Sequence, residues 1–325
     1  KPARGAHRES AEPLAMKSLV EAARQVIHAD LSGDVQAQAA LANIIRVGTS
    51  AGGARAKAVV AWNPLSKEIR SGQFDAAPGF EHWLLKFDGV GHDAELGSSA
   101  DYGRIEYAYH LMASAAGIRM SPCRLLEESG RAHFMTRRFD RDVVDGATTV
   151  RHHVQTLCAM SHLDYKQRAT HAYAQLFMTV ARLRLGDEAL GQAFRRMAFN
   201  VLAKNCDDHP KNFAFRLKQG GNWELAPAYD LTHAHNPRGQ WTYQHLLSVN
   251  GKFSGITRSD LLVEADFTFE VVDEFVEPLE IPVFVGAGEV ALVPTDSLEA
   301  LACCDGAFPA MGDICGYAYG PYWDE

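Results

Sequence analysis

The sequence predicts an α+β protein in two parts, a mixed strand-and-helix N-terminal part over residues 1–140 and a mainly helical C-terminal part over residues 141–325. Short apolar runs bounded by turn residues, which are typical of strands, occur in the first part together with helical segments. In the second part, apolar residues recur at helical spacing through Thr170–Lys204. A chain of 325 residues that is 47% hydrophobic can bury a core in each part.

The N-terminal part alternates between strands and helices. Gly117 follows a helical pattern and is well placed to end that helix in the left-handed conformation. Glycines and hydroxyl residues at 48–54 predict a flexible loop that leads into a strand. The predicted elements are helices within Leu14–Arg46 and at Ile105–Ala116, and strands at Ala58–Trp62, Trp83–Phe87 and His133–Phe139.

The C-terminal part begins with strongly amphipathic helices. One stripe contains Leu176 and Val180, and a second contains Leu190 and Met197. Two alternating runs on either side of the turn-rich residues 218–222 then predict a β-hairpin. After Phe267 the sequence is acidic and rich in valine with no clear period, and no element is assigned there.

Composition excludes several classes of function. A net charge of −8 argues against a broad basic surface for nucleic acid or anionic membrane. None of the six cysteines lies in a CxxC pair, which favours reduced thiols and a cytoplasmic protein. No apolar run approaches the roughly 20 residues needed to span a bilayer, so no membrane association is expected.

The strongest chemical signal is the acidic loop, Asn205–Asn212, between the long helices and the predicted hairpin. Transfer of a phosphoryl group to a hydroxyl needs a carboxylate that orients the alcohol and accepts its proton, with a magnesium ligand close by. Asp207 and Asn212 have the D-x-x-x-x-N spacing that kinase catalytic loops use for these tasks. Lys211 could neutralise the transferred group.

A second carboxylate follows the predicted hairpin at Asp230, which would hold magnesium between the phosphates of ATP. Within the acidic loop, Asp208 is equally consistent with a structural and a catalytic role. His209 is placed at the cofactor site, where bracing the loop backbone is favoured over proton transfer. An ordinary Asx-rich turn would explain Asp207 alone. It would not explain why an acidic pair, an asparagine at the kinase spacing, a nearby lysine and a later Tyr-Asp follow one another in the order expected of a kinase.

Upstream residues supply a candidate phosphate site. Gly52 and Gly53 let backbone amides approach an anion, although glycine clusters alone are most often ordinary turns. Lys86 lies within a predicted strand, where kinases carry the lysine that binds the α- and β-phosphates. Glu106 begins a predicted helix and is read either as the partner of Lys86 or as a solvated first-turn glutamate.

Taken together, these motifs resemble the HipA family of serine/threonine kinases, the toxins of bacterial type II toxin–antitoxin modules. The resemblance covers roughly Gly48–Phe253 and implies a two-lobed, protein-kinase-like fold. With fewer than 50 residues before the Gly-rich loop, the chain is similar to the short, split HipT-like members. The motifs that carry the resemblance are the Gly-Gly-Ala-Arg loop, Arg-Phe-Asp-Arg at 138–141, Asp-Asp-His-x-Lys-Asn at 207–212 and Pro-Ala-Tyr-Asp at 227–230.

The resemblance implies ATP and Mg²⁺ as cofactors, with Asp207 as catalytic base, Lys211 beside it, and Asn212 and Asp230 as metal ligands. It implies that Lys86 and the Gly-rich loop hold the phosphates. It places Arg138 and Phe139 at the hinge beside adenine, although Arg137 replaces an acidic residue common there. It also implies autoinhibition by autophosphorylation of Ser50, with Thr49 as the weaker alternative.

The implied substrate is a protein, by analogy an aminoacyl-tRNA synthetase, whose phosphorylation inhibits translation. The resemblance implies two partners. One is a HipB-like helix-turn-helix antitoxin, and the chain would contact DNA only through this antitoxin. The other is a separate small protein that resembles the family's N-terminal subdomain. Two alternatives stay open. One is a small-molecule phosphotransferase of the aminoglycoside- or choline-kinase type, and the other is a non-catalytic nucleotide-binding regulator.

Overall fold

The computed structural model describes most of the central part of the chain. The helices predicted within Leu14–Arg46 lie outside the described residues. None of the helices within the described part is long and apolar enough to cross a lipid bilayer. The described residues are 57–72, 75–88, 101–128, 130–146, 148–218, 220–266, 281–284 and 290–293.

These residues belong to two compact units. The first lies within Lys1–Asp93 and Pro122–Arg151, and the second within Ala94–Ser121 and His152–Glu325. The sequence-based division at residue 140 places the helix that begins at Tyr102 in the N-terminal part, whereas this grouping places it in the second unit. The domain boundary at residue 140 stays a prediction.

The first unit is built on a five-stranded antiparallel sheet with the strand order β2-β1-β3-β5-β4. A separate hairpin of β6 and β7 follows it in the chain. The strands are β1 Lys57–Trp62, β2 Ile69–Ser71, β3 Glu81–Lys86, β4 Cys123–Glu128, β5 Arg131–Arg137, β6 Arg141–Val144 and β7 Thr148–Arg151.

The apolar runs chosen from the sequence form the centre of this sheet. The predicted strands at Ala58–Trp62, Trp83–Phe87 and His133–Phe139 are confirmed as β1, β3 and β5, with ends shifted by one or two residues. Trp62 and Trp83 meet edge to face in the core, with ring centroids 5.6 Å apart. The sheet therefore fixes the position of Lys86 at the end of β3.

The second unit contains the five described helices and several small sheets. β8, β10 and β11 form an antiparallel sheet, β9 pairs in parallel with β12, and β13 pairs with β14. The helices are α1 Tyr102–Ala115, α2 Leu157–Met160, α3 Tyr173–Arg182, α4 Gly186–Leu202 and α5 Arg258–Asp266. The strands are β8 His153–Thr156, β9 His171–Ala172, β10 Ala214–Leu217, β11 Trp223–Leu225, β12 Leu247–Ser248, β13 Ile281–Phe284 and β14 Val290–Val293.

The main core of the second unit lies between α3, α4 and the sheet of β10 and β11. Leu176 and Val180 of α3, Met197 of α4 and Phe215 of β10 are fully buried there. The predicted stripes and the predicted hairpin are therefore confirmed. Burying these side chains contributes about 1.5–3 kcal/mol each, which anchors both elements that flank the acidic loop.

Gly117 ends α1 as the sequence predicts. Its φ is +72°, and the amide of Ile118 donates to the carbonyl oxygen of Ala113 at 2.9 Å, which is the pattern of a Schellman cap. Gln192 of α4 holds the chain beyond the cap, because its Nε2 donates to the Gly117 carbonyl at 2.8 Å and its Oε1 accepts from the amide of Arg119 at 2.8 Å. The segment after α1 is thereby attached to α4.

Candidate active site

The acidic loop leaves α4 through a firmly bonded turn. The amide of Asn205 donates to the carbonyl oxygen of Asn200 at 2.9 Å, and the side-chain Nδ2 of Asn205 donates to the side-chain Oδ1 of Asn200 at 2.9 Å. Both residues are buried. Because a buried amide that loses its partner costs about 1–3 kcal/mol, these bonds hold the start of the loop against α4.

The loop closes on itself through Asn212. Residues Pro210–Asn212 form a single turn of 3-10 helix, in which the amide of Asn212 donates to the carbonyl oxygen of His209 at 2.9 Å. The side-chain Nδ2 of Asn212 donates to the carbonyl oxygen of Asp207 at 2.7 Å. The structure therefore brings Asp207 and Asn212 together, and the oxygen of the Asn212 amide is the atom left for a metal ion.

The Asp207 carboxylate lies at the surface of the second unit. Its side chain is 46% exposed, and its Oδ1 is 3.6 Å from Nε2 of His209. The His209 ring in turn packs edge to face against Tyr165, with centroids 5.8 Å apart. An accessible carboxylate beside an imidazole can orient a hydroxyl group and accept its proton.

Lys211 is exposed, and its ammonium group lies over an aromatic ring. Its Nζ is 3.4 Å from the centroid of the Tyr165 ring, a cation–π contact. In this arrangement the lysine charge lies beside Tyr165, which also contacts His209. The phosphoryl-neutralising role predicted for Lys211 stays a prediction.

Asp230 is connected to the acidic loop by a hydrogen bond from the preceding residue, Tyr229. The hydroxyl of Tyr229 donates to the carbonyl oxygen of Lys211 at 2.6 Å, so the residue before Asp230 is bonded to the residue before Asn212. Burial, followed by the charge of Asp230, raises the pKa of Tyr229 well above its usual value. Asp230 itself has a φ of +54°, the left-handed region that aspartate tolerates better than most residues.

The chain that leads to Asp230 is held from two sides. The amide of Ala228 donates to the carbonyl oxygen of Arg119 at 2.8 Å, in the segment that Gln192 attaches to α4. The buried guanidinium of Arg196 donates to the carbonyl oxygen of Ala226 at 2.7 Å. Burial, followed by the charge of Arg119, lowers the pKa of Arg196 to about 9. These contacts fix the backbone just before Tyr229 and Asp230.

Lys86 occupies the last position of β3 in the first unit. It is buried, lies opposite Lys57 of β1 and Phe134 of β5, and its Nζ is 5.7 Å from the centroid of the Phe134 ring. A buried lysine on a central strand is unusual because burial disfavours its charge, and such positions are often functional. This position is compatible with the phosphate-binding role predicted for Lys86.

The residues predicted at the adenine hinge follow β5. The Arg138 guanidinium makes a bidentate ion pair with Asp140, at 2.8 and 2.6 Å, and its backbone amide donates to the carbonyl oxygen of His82. Burial alone would raise the pKa of Asp140, but the hydrogen bonds and charge of Arg138 lower it. Phe139 is half-buried. Arg138 thus stabilises the turn after β5, and the adenine contact stays a prediction.

Glu106 lies in the second turn of α1, not at its start. The helix begins at Tyr102, and Glu106 is only 3% exposed. The interpretation as a solvated first-turn glutamate is therefore wrong, because the residue is buried and lies beyond the first turn of the helix. The pairing of Glu106 with Lys86 stays a prediction.

Four residues predicted in the Gly-rich loop cannot be placed. Thr49, Ser50, Gly52 and Gly53 lie outside the described residues. Their roles in phosphate binding and autophosphorylation therefore stay predictions.

The acidic loop has buried partners that were not predicted from the sequence. Asp208 is fully buried and accepts hydrogen bonds from Tyr173 and from His245. The adjacent Asp-Asp pair was the available signal, since two neighbouring carboxylates in a non-helical loop cannot easily share one environment. His245 lies 37 residues away in sequence and gave no such signal.

Comparison with solved structures finds HipA of Shewanella oneidensis MR-1, whose structure is a complex of HipA, HipB and operator DNA. The two chains are 19% identical with a TM-score of 0.56, and the match covers 82% of this chain and 61% of that one. The predicted α+β, kinase-like fold is confirmed by this match. The proinflammatory kinase CtkA of Helicobacter pylori also matches, at 11% identity over 48% of this chain and 52% of that one, but with a TM-score of only 0.36.

A search of curated proteins finds no significant match. The family model described as the HipA-like C-terminal domain matches residues 49–278, which is well over half of the chain. The match includes α3, α4, the acidic loop and Asp230, and it confirms the resemblance drawn from the motifs. The chain therefore belongs to the family of proteins with a HipA-like C-terminal domain.

Proposed function

We propose that this protein is an ATP- and Mg²⁺-dependent serine/threonine protein kinase of the HipA type, which transfers the γ-phosphoryl group of ATP to a protein hydroxyl. One observation carries the proposal: the acidic loop folds so that Asn212 bonds to Asp207, while Tyr229 bonds to the same loop beside Asp230. The three oxygen-bearing side chains expected in a kinase site thus project from directly bonded segments of one unit.

In this mechanism Asp207 is the catalytic base. Its carboxylate is exposed and can orient an incoming serine or threonine hydroxyl and accept its proton as the oxygen attacks phosphorus. The proton would pass from the hydroxyl to the carboxylate, the hydroxyl oxygen would form a bond to the γ-phosphorus, and the bond from that phosphorus to the β,γ-bridging oxygen would break, so that ADP leaves. The imidazole of His209 lies beside this carboxylate, with Nε2 3.6 Å from Oδ1.

Asn212 and Asp230 have the chemistry of magnesium ligands. Magnesium binds one or two protein oxygens together with phosphates and water, so one amide and one carboxylate suit it. The side-chain nitrogen of Asn212 is bonded to the Asp207 carbonyl, which favours the amide oxygen as the metal ligand. When bound, magnesium ATP supplies the transferable phosphoryl group and a cation that balances its charge.

We further propose that Lys86, Glu106, Gly52 and Gly53 position the triphosphate, that Arg138 and Phe139 lie beside adenine, and that Lys211 and His209 complete the phosphoryl site. Burial of Lys86 on β3 and of Glu106 on α1 supports these roles, because charged groups are seldom buried without a specific partner. Autophosphorylation of Ser50 would add nearly two negative charges to the loop and repel the nucleotide.

The proposed substrate is a protein, an aminoacyl-tRNA synthetase by family analogy, and its phosphorylation would inhibit translation in the cytoplasm. The Shewanella HipA was solved with HipB and operator DNA, and this chain spans 61% of the length of that HipA. We propose that this protein also binds a HipB-like helix-turn-helix antitoxin and contacts DNA only through it. A separate small N-subdomain-like protein is a proposed second partner.

The test is transfer of radiolabelled phosphate from magnesium ATP to a panel of aminoacyl-tRNA synthetases, aminoglycosides and choline. The wild-type protein should label a synthetase, and Asp207→Asn should reduce the rate by roughly 100-fold or more, as expected for loss of a general base. Asp145→Asn is the matched control, since Asp145 is an exposed carboxylate in the β6–β7 turn of the other unit. Labelling of a small molecule alone, or equal rates for Asp207→Asn and wild type, would contradict the proposal.

A further inference from the structure

Asp208 is the most completely enclosed acid among the described residues. Its relative exposure is 0%, and three donors surround its carboxylate. Oδ2 accepts from the hydroxyl of Tyr173 at 2.8 Å and from Nδ1 of His245 at 2.9 Å, and Oδ1 accepts from the amide of Leu246 at 2.7 Å. These donors come from the start of α3 and from the segment before β12, so Asp208 joins the acidic loop to both.

A buried carboxylate is tolerated only when it is paired and hydrogen-bonded, because desolvation costs several kcal/mol. His245 supplies the opposite charge. Burial by itself would lower the pKa of His245, but the Asp208 carboxylate raises it to about 10, so the imidazole is protonated at neutral pH. The second ring nitrogen of His245 faces the buried sulfur of Cys206 at 3.9 Å, which places the ring between the two residues that flank Asp207.

A second layer of hydrogen bonds extends this ion pair to the start of the loop. The Tyr173 hydroxyl accepts from Nδ2 of Asn200 at 2.9 Å, and Asn200 binds both the backbone and the side chain of Asn205. The network therefore fixes the backbone on both sides of Asp207.

Adjacent residues of the loop have opposite environments. The Asp207 side chain is 46% exposed, whereas that of Asp208 is fully enclosed. This part of the loop has no helical or strand backbone, so the contacts of the Asp208 carboxylate help to determine which of the two carboxylates faces outward. If Asp208 left its site, the orientation of Asp207 would no longer be defined, and a displacement of about 1 Å can cost roughly 100-fold in rate.

We propose that Asp208 and His245 form a buried ion pair that positions the Asp207 carboxylate for phosphoryl transfer. Both are positioning residues, since they act through the loop backbone and not on the substrate. This inference rests on the proposed kinase function for its effect on rate. Its effect on the loop itself can be measured without any activity.

The experiment compares two variants with a matched control. Asp208→Asn keeps the shape of the side chain but removes its charge, and Tyr173→Phe removes only the hydroxyl while keeping the ring that packs on Phe213. Asp260→Asn is the control. Asp260 is also a buried aspartate with several hydrogen bonds, to Asn250, Lys252 and Thr257, but it anchors the start of α5.

Two quantities are measured in each protein: amide hydrogen exchange in the peptide that covers residues 203–213, and the separate kcat and KM for ATP. We expect exchange in this peptide to become about tenfold faster in Asp208→Asn and Tyr173→Phe but not in Asp260→Asn. We expect kcat to fall by roughly 30-fold in Asp208→Asn and by about 3-fold in Tyr173→Phe, with KM changed less than about 3-fold. If Asp208→Asn fails to fold, the amide exchange and kcat of Tyr173→Phe test the positioning role instead.

The possible failures are distinguishable. Unchanged exchange in the peptide of a folded variant would overturn the positioning role, whether or not the protein transfers phosphate. Losses of kcat that Asp260→Asn shares would overturn it as well, because they would reflect general destabilisation. A wild-type protein without transferase activity, whose variants nevertheless exchange faster in the loop, would contradict the proposed function and leave the structural role of the ion pair intact.

Discussion

The hydroxyl of Tyr229 donates a hydrogen bond to the carbonyl oxygen of Lys211 at 2.6 Å. Through this bond the segment that carries Asp230 is attached to the loop that carries Asp207 and Asn212, although the two partners lie 18 positions apart in the sequence, on either side of a β-hairpin. The hydroxyl of Tyr229 thus helps to set the relative placement of the two proposed metal ligands, Asn212 and Asp230.

Tyr229→Phe should loosen this connection without disturbing the core. Loss of one neutral hydrogen bond costs about 0.5–1.5 kcal/mol. We therefore expect the affinity for magnesium ATP to fall by about 3- to 10-fold, measured by calorimetric titration, while affinity for ATP in the presence of a chelator changes less. Equal affinities of wild type and variant across a magnesium titration would show that the bond has no part in metal binding.

Asp230→Asn should have a larger effect in the same assay. The substitution keeps the left-handed backbone, which asparagine tolerates, but removes the charge that we propose pairs with magnesium. We expect magnesium-dependent ATP affinity to fall by roughly tenfold or more. A variant that binds magnesium ATP as tightly as the wild type would remove Asp230 from the proposed metal site.

The ion pair of Asp208 and His245 predicts a specific dependence of stability on pH. The pKa of His245 is raised from 6.5 to about 10 in the folded protein, so its stabilisation is fully present below pH 6.5 and is lost as the pH rises through 10. Each pKa unit corresponds to about 1.4 kcal/mol. Between pH 6 and 10 the wild type should therefore lose at least about 2 kcal/mol more unfolding free energy than His245→Gln, measured by urea denaturation. Parallel pH profiles of the two proteins would refute the raised pKa.

Autophosphorylation can be tested by peptide mapping after incubation with magnesium ATP. We expect phosphate on Ser50, abolished by Ser50→Ala and retained in the matched variant Thr49→Ala. Ser50→Glu should weaken ATP binding, because a fixed negative charge in the Gly-rich loop repels the phosphates. Phosphate found only at other positions would rule out this route of autoinhibition.

Local patterns predicted the elements that carry the site. The apolar runs of β1 and β3, the stripes of α3 and α4 and the hairpin of β10 and β11 depend on neighbours within a few residues, so periodicity alone identifies them. The spacing of Asp207 and Asn212 likewise lies within one loop. In these features, the residues that determine the local structure are also close to one another in the sequence.

Contacts between distant segments were not predictable in this way. His245 reaches Asp208 across 37 residues, and Gln192 reaches Gly117 across 75. No periodic pattern marks either partner, since each is a single polar residue whose role depends on the packing of separate elements. The buried position of Glu106 was missed for a related reason, because the predicted start of α1 was three residues too late and placed a second-turn residue in the first turn.

The proposed kinase function requires Asp207, Asn212 and Asp230 to act together on one metal-bound triphosphate. The most direct test is a crystal structure of the protein with magnesium and a non-hydrolysable ATP analogue. We expect one magnesium ion with the Asn212 amide oxygen and an Asp230 carboxylate oxygen both at about 2.1 Å, and with the γ-phosphate directed toward Asp207. A nucleotide bound elsewhere, or a metal ion that neither Asn212 nor Asp230 contacts, would contradict it.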